Sequence, residues 1–150
     1  MITNYDIDKK LYRSFKAATT APATPVGGTA QPAVIPITGA VYNGDRALNS
    51  NGEDITIRTM SVDGDGFPQD AIVNVNVYVN DIAEDNGGYV RNGVRLASLS
   101  KAVADFIETL RYPNMEVAVE AISEVPLEVV NQHFVNFRLR VYVYGVLTTN

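Results

Sequence analysis

The chain has 150 residues, 46% of them apolar, with a net charge of −5 and no cysteine. That length fits a single domain able to bury about 70% of its unfolded surface. The acidic balance argues against specific nucleic-acid binding, which calls for a basic domain, and the lack of cysteine excludes disulfide staples, as is compatible with a reducing cytosol.

Residues 1–10 hold no apolar core of a secretory leader, and no run approaches the roughly 20 apolar residues of a membrane helix, so neither export nor membrane insertion is expected. The first predicted element is a helix over 5–18. Ile7, Leu11 and Phe15 recur at i, i+4 and i+8 as one narrow stripe, ringed by Lys9, Lys10, Arg13 and Lys16. Residues 17–36 then carry four prolines and two glycines among small residues, too little apolar surface to order themselves. Segment 19–36 is therefore expected to be a flexible arm within the one domain spanning 1–150.

A short strand is expected at 37–43, followed by turn chemistry at 43–45 and 49–52. Residues 53–62 alternate, with Ile55 and Ile57 opposite Thr56 and Arg58, until the break at 63–68. The strongest strand signal comes next. In 71–80, Val73, Val75, Val77 and Val79 share one face, and Asn74, Asn76 and Tyr78 share the other. After a loop at 84–88, residues 94–111 form the best helix, with Leu96, Leu99, Val103, Phe106, Ile107 and Leu110 on one wide face and Pro113 as its stop. Residues 115–125 fit both periods. They read as a strand, being short, valine-rich and bracketed by Pro113 and Pro126. The chain closes with a strand over 133–147, in which Val135, Phe137, Leu139, Val141 and Val143 oppose Asn136, Arg138, Arg140, Tyr142 and Tyr144. This order predicts an α+β fold: a mainly antiparallel, mixed sheet with two helices packed on one face.

The non-core faces of the two alternating runs hold Asn, Tyr and Arg but no Lys. Tyr and Arg are enriched, and Lys depleted, where proteins meet. Asn74, Asn76, Tyr78, Asn136, Arg138, Arg140, Tyr142 and Tyr144 are accordingly the candidate protein interface, joined by Glu116 and Glu120 of the preceding strand. Glu116, Glu120 and Glu124 are expected on one strand face. If a hairpin turns through 126–131, they confront Arg138 and Arg140. Two readings stand side by side: cross-strand charge pairing worth a few tenths to about 1 kcal/mol, or a charged contact between neighbouring subunits.

Nothing nominates a catalytic, cofactor-binding or metal-binding residue. His133 is the only histidine, has no evident orienting partner, and is expected to have a structural or surface role at the mouth of the last strand. The run Asp63-Gly64-Asp65-Gly66 fails the calcium-loop pattern, because positions five, six and twelve fall on Phe67, Pro68 and Asn74. Asp81, Glu84 and Asp85 form an acidic loop for which a weak ion site is the lesser reading. Gly87, Gly88 and Gly93 do not space as a dinucleotide or phosphate loop.

Four segments carry a family resemblance: Gly39 to Tyr42, Asn49 to Ile57, Val73 to Val79, and His133 to Val141. In layout they resemble small phage structural proteins, in particular the tail terminator (tail completion) family. The resemblance covers most of residues 37–147 and implies a small fold with helices against a sheet, no catalytic residues and no cofactor. It also implies assembly into hexameric rings that cap the tail tube where it meets the head. The implied partners are copies of this chain, a tail tube protein and a head–tail connector; the implied places are the virion tail or neck and, during assembly, the host cytoplasm. The arm at 19–36 has no counterpart in that layout. A head–tail connector or tail tube subunit is the alternative within the same class; a small cytosolic binding domain or an enzyme with an unrecognised acid pair is the alternative from another.

Overall fold

The computed structural model describes residues 1–147. Its elements are α1 (Asn4–Thr19), β1 (Val41–Asn43), β2 (Ile55–Asp63), β3 (Gln69–Asn80), β4 (Ile82–Ala83), β5 (Tyr89–Val90), α2 (Gly93–Thr109), β6 (Met115–Leu127), a 3-10 turn (Glu128–Val130) and β7 (Gln132–Val143). Five strands form one sheet in the order β1-β2-β3-β7-β6, and β4 pairs with β5 in a separate small hairpin. β1 runs parallel to β2; the other neighbours are antiparallel. This is the α+β plan, with a mixed and mainly antiparallel sheet.

The sheet is organised around β3 and β7, which pair without interruption from Gln69 opposite Val143 to Asn80 opposite Gln132. Their alternation dictates that register. Val73, Val75, Val77 and Val79 meet Leu139, Phe137, Val135 and His133, and a slip of one residue would expose the whole apolar set. Both helices cover this face. α1 inserts Ile7, Leu11 and Phe15, and α2 inserts Leu96, Leu99, Val103 and Ile107, all buried. Each such side chain contributes about 1.5–3 kcal/mol of transfer free energy. Phe15 meets Phe106 edge-on at 5.1 Å between centroids, locking helix to helix.

The helix starts follow from local chemistry. Asp6 reaches back to accept the Thr3 N–H at 2.8 Å, and the Asn92 side chain accepts the Arg95 N–H at 3.1 Å. α1 is further tied to the sheet by Asp8, a buried carboxylate that accepts the Thr59 N–H at 2.8 Å and the Thr59 hydroxyl at 2.6 Å. Burial pushes the Asp8 carboxyl above the usual carboxylate range, although both Thr59 bonds oppose that shift.

The structure departs from the sequence reading in five places. The closing strand expected over 133–147 ends at Val143. The strand expected at 37–43 is confined to Val41–Asn43. Residues 38–40 instead bond to the 53–54 corner: Thr38 N–H to the Glu53 carboxylate, Gly39 N–H to the Glu53 carbonyl, and Ala40 N–H to the Asp54 carboxylate. Gly39 lies so close that a Cβ there would sit 2.0 Å from Asp54 Oδ1. The loop at 84–88 is the turn of the β4–β5 hairpin, too short a pair to show as alternation. Helix α2 stops at Thr109 rather than 111, because Leu110 is already extended. Finally, β6 bulges between Val119 and Ala121. An extra residue inverts the alternation beyond it. Glu124 therefore falls opposite the core residue Val135, on the helix side, and pairs with Arg91 at 3.3 Å, away from the face of Glu116 and Glu120.

The arm leaves α1 and returns at one closed neck, where Ile35 N–H donates to the Ala18 carbonyl at 2.9 Å. Ile35 is fully buried, whereas every residue from 20 to 32 is exposed and none belongs to a helix or strand. Because the neck is held without help from the arm, replacing residues 21–33 with a short Gly/Ser linker should change the unfolding free energy by less than about 1 kcal/mol. Urea denaturation checks this; a larger loss would mean that the arm packs on its own core.

Candidate functional site

The second face of the sheet receives neither helix. From β2 it presents Thr56, Arg58 and Met60; from β3 Asp70, Ile72, Asn74, Asn76 and Tyr78; from β7 Phe134, Asn136, Arg138, Arg140 and Tyr142; from β6 Glu116, Ala118 and Glu120. Register brings the predicted interface residues together: Asn74 lies opposite Arg138, Asn76 opposite Asn136, and Glu116 opposite Tyr142. Tyr144 lies one residue past the end of β7, where its N–H donates to the Asn114 carbonyl and its ring stands 6.4 Å from that of Tyr142.

The arginines are paired within the chain. Arg138 Nε lies 2.8 Å from Glu120, and Arg140 Nε donates to Asp70 at 3.3 Å. The cross-strand pairing reading therefore holds for Arg138 and Glu120, while the partner of Arg140 comes from β3 rather than β6. All four side chains are between 39% and 57% exposed, so each pair contributes at most about 1 kcal/mol and can exchange partners readily. At the middle of the face, Asn136 Nδ2 donates to Asn76 Oδ1 at 2.7 Å. At the far end, the Tyr78 and Phe134 rings pack 5.1 Å apart.

The 44–54 loop reaches over this face, and Arg46 holds it there. The guanidinium lies 3.9 Å above the Tyr78 ring. It donates from Nε and Nη2 to Asp54 Oδ2 at 2.9 and 2.7 Å, from Nη1 to Gln132 Oε1 at 2.8 Å, and from Nη2 to the carbonyls of Ser50 and Gly52. Asp54 is 1% exposed. Burial alone would raise its carboxyl, but the Ser50 hydroxyl, the Ala40 N–H and Arg46 outweigh it and hold the group below the usual carboxylate range. Beside this node lies a shallow polar trough of about 360 Å³, lined by Arg46, Arg58, Met60, Asn74, Asn76 and Tyr78. Its two cations are matched inside the chain, Arg46 by Asp54 and Arg58 by Asp45. The trough therefore offers no unmet charge to a ligand.

His133 has the orienting partner that the sequence did not reveal. Its Nδ1 lies 2.6 Å from Asp81 Oδ1, and both side chains are largely buried. The pair ties the end of β3 to the start of β7. The same contact takes Asp81 out of the acidic loop, leaving Glu84 and Asp85 exposed on the β4–β5 turn. Among the described residues, no three acids, histidines or cysteines converge to hold a metal, and no helix is long and apolar enough to cross a membrane.

Compared with known proteins, the chain matches no family model and no curated protein.

Removing Arg46 strands a carboxylate that is almost wholly buried. Arg46→Ala should cost about 3–5 kcal/mol at neutral pH. Because the folded-state pKa of Asp54 is lowered, its stabilisation is complete above the unfolded value and lost as pH falls through the folded one. The gap between wild type and Arg46→Ala should therefore narrow below about pH 4. Urea titrations at neutral and acid pH test this, and a gap independent of pH would contradict it.

Proposed function

We propose that this chain is a structural assembly protein: a ring-forming tail terminator subunit that caps a phage tail tube and joins it to the head. Its place is then the virion neck, with assembly in the host cytoplasm. The observation that carries this reading is the uncovered sheet face. An antiparallel sheet with one wet side usually shows plain polar residues there. Here that side bears Met60, Ile72, Tyr78, Phe134, Tyr142 and three arginines, Arg58, Arg138 and Arg140, with no lysine. Tyr and Arg cover large areas at low entropic cost and make directional bonds, the properties of binding hot spots.

The arm supports the same reading. Residues 20–34 carry no charge, stand clear of their own core and return to a fixed neck, a form suited to reaching across to a neighbour. A ring subunit also needs two different patches, because closed rings use heterologous contacts.

The test is sedimentation velocity with circular dichroism on wild type and on the double variant Arg140→Ala with Tyr142→Ala. Both side chains are exposed, so the fold should lose no more than about 1 kcal/mol. Wild type should self-associate, and the variant should do so at least about tenfold more weakly. A folded variant that assembles like wild type, or a wild type that stays monomeric at every concentration, would overturn the proposal.

A further inference from the structure

The sequence contains four Asn-Gly steps, at 43–44, 51–52, 86–87 and 92–93. Such a step is chemically fragile. The backbone nitrogen of the glycine can attack Cγ of the asparagine side chain, and glycine has no side chain to stand in the way. The attack is intramolecular, so its rate depends on whether the fold leaves both atoms free to approach.

The fold restrains three of the four. Gly44 N–H donates to the Ile57 carbonyl at 2.9 Å, with Asn43 held opposite Ile57 in β1. Gly87 N–H donates to the Glu84 carbonyl at 3.1 Å, and Asn86 Oδ1 accepts the Gly88 N–H at 2.9 Å. Asn92 Oδ1 accepts the Arg95 N–H at 3.1 Å as the cap of α2. Such bonds must break before the ring can close, and each slows the step by up to about tenfold. Asn51 differs. It is exposed, lies outside any helix or strand, and its side-chain amide makes no hydrogen bond among the described residues. Its neighbour Gly52 N–H has a 3.4 Å contact with Ser50 Oγ, a long and weak bond.

We propose that Asn51 is the site at which the folded chain deamidates, and that the isoaspartyl product loosens the grip of Arg46 on the 44–54 loop. Gly52 N forms a bond to Asn51 Cγ. The Cγ–Nδ2 bond breaks, and ammonia leaves with the proton that Gly52 N gives up. The resulting succinimide takes up water at either carbonyl. Opening at Cγ leaves aspartate. Opening at the α-carbonyl leaves isoaspartate, whose backbone runs through Cγ and gains one atom between residues 51 and 52. That atom falls between the carbonyls of Ser50 and Gly52, which both accept from Arg46 Nη2 at 3.2 Å. It also displaces the Asn51 carbonyl, which accepts from Asn80 Nδ2. A loop lengthened at this point cannot hold all three carbonyls where they are. The inference stands on the geometry of the loop and is independent of the assembly reading.

Ageing the full chain in mildly alkaline buffer, followed by tryptic peptide mapping, tests it. The four steps fall in four different tryptic peptides, 17–46, 47–58, 59–91 and 92–95. Fragmentation locates each lost amide and separates isoaspartate from aspartate. In the folded chain Asn51 should react up to about tenfold faster than Asn43, Asn86 or Asn92. In guanidinium chloride, where the restraining bonds are gone, the four rates should converge. In urea titrations the isoaspartyl chain should show an unfolding equilibrium constant at least about tenfold larger than the fresh chain, as expected for weakened bonds to a charged guanidinium. Asn51→Asp adds the charge without the extra backbone atom and should stay near wild type. Asn51→Gln, whose longer side chain closes a larger ring more slowly, should keep its mass and its stability over the same period. Faster loss at any of the other three sites, the same selectivity in denaturant, an isoaspartyl chain as stable as the fresh one, or an equal loss of stability by aged Asn51→Gln would overturn the proposal.

Discussion

The pairing of β3 with β7 is the constraint on which the rest depends. Twelve consecutive residue pairs fix which side of the sheet is apolar and which is not. Once Val73, Val75 and Val77 face Leu139, Phe137 and Val135, the helices have only one surface on which to bury Ile7, Leu11, Phe15, Leu99 and Val103. Asn74, Asn76, Arg138 and Arg140 are committed to the other side by the same period of two. Core and candidate interface are thus two readouts of one register, and neither could shift without the other.

Polar contacts finish what register begins. Asp8 anchors α1 to Thr59 at the irregular end of β2, and Arg46 draws the 44–54 loop onto Tyr78 while bonding Asp54 and Gln132. Both use carboxylates that are almost wholly buried and fully bonded, the arrangement in which a charge costs most to disturb. The loop therefore behaves as part of the scaffold at one end of the open face, and the exposed residues Arg138, Arg140, Tyr142 and Tyr144 lie at the other. The open face thus presents aromatic and guanidinium groups at the end away from this loop.

Much of this fold is legible in the sequence because its strongest signals are periodic. The helical stripes at 7, 11, 15 and at 96, 99, 103, 107, together with the alternation at 71–80 and 133–143, are enough to give the α+β plan and to sort residues by face. What escapes notice is aperiodic. A single extra residue at 120 inverts Glu124, and nothing in a valine-rich run announces it. Arg46 sits among turn residues, where its partners at 54, 78 and 132 come from three distant parts of the chain. The Asp81–His133 pair likewise exists only because β3 and β7 end side by side. The short reach of β1 follows from side chains of residues 53 and 54 taking the hydrogen bonds of 38–40, a competition that propensity cannot foresee. In the candidate interface the alternating residues were readable, whereas the exchange of Glu120 and Asp70 as arginine partners depends on strand order.

The central claim is that this chain associates with copies of itself in a closed ring, as the proposed function requires. Native mass spectrometry of the purified chain over a range of concentrations tests that claim most directly. Closed-ring assembly predicts one dominant stoichiometry, with no ladder of larger species. A monomer at every concentration, or a symmetric dimer built from one patch meeting itself, would contradict it.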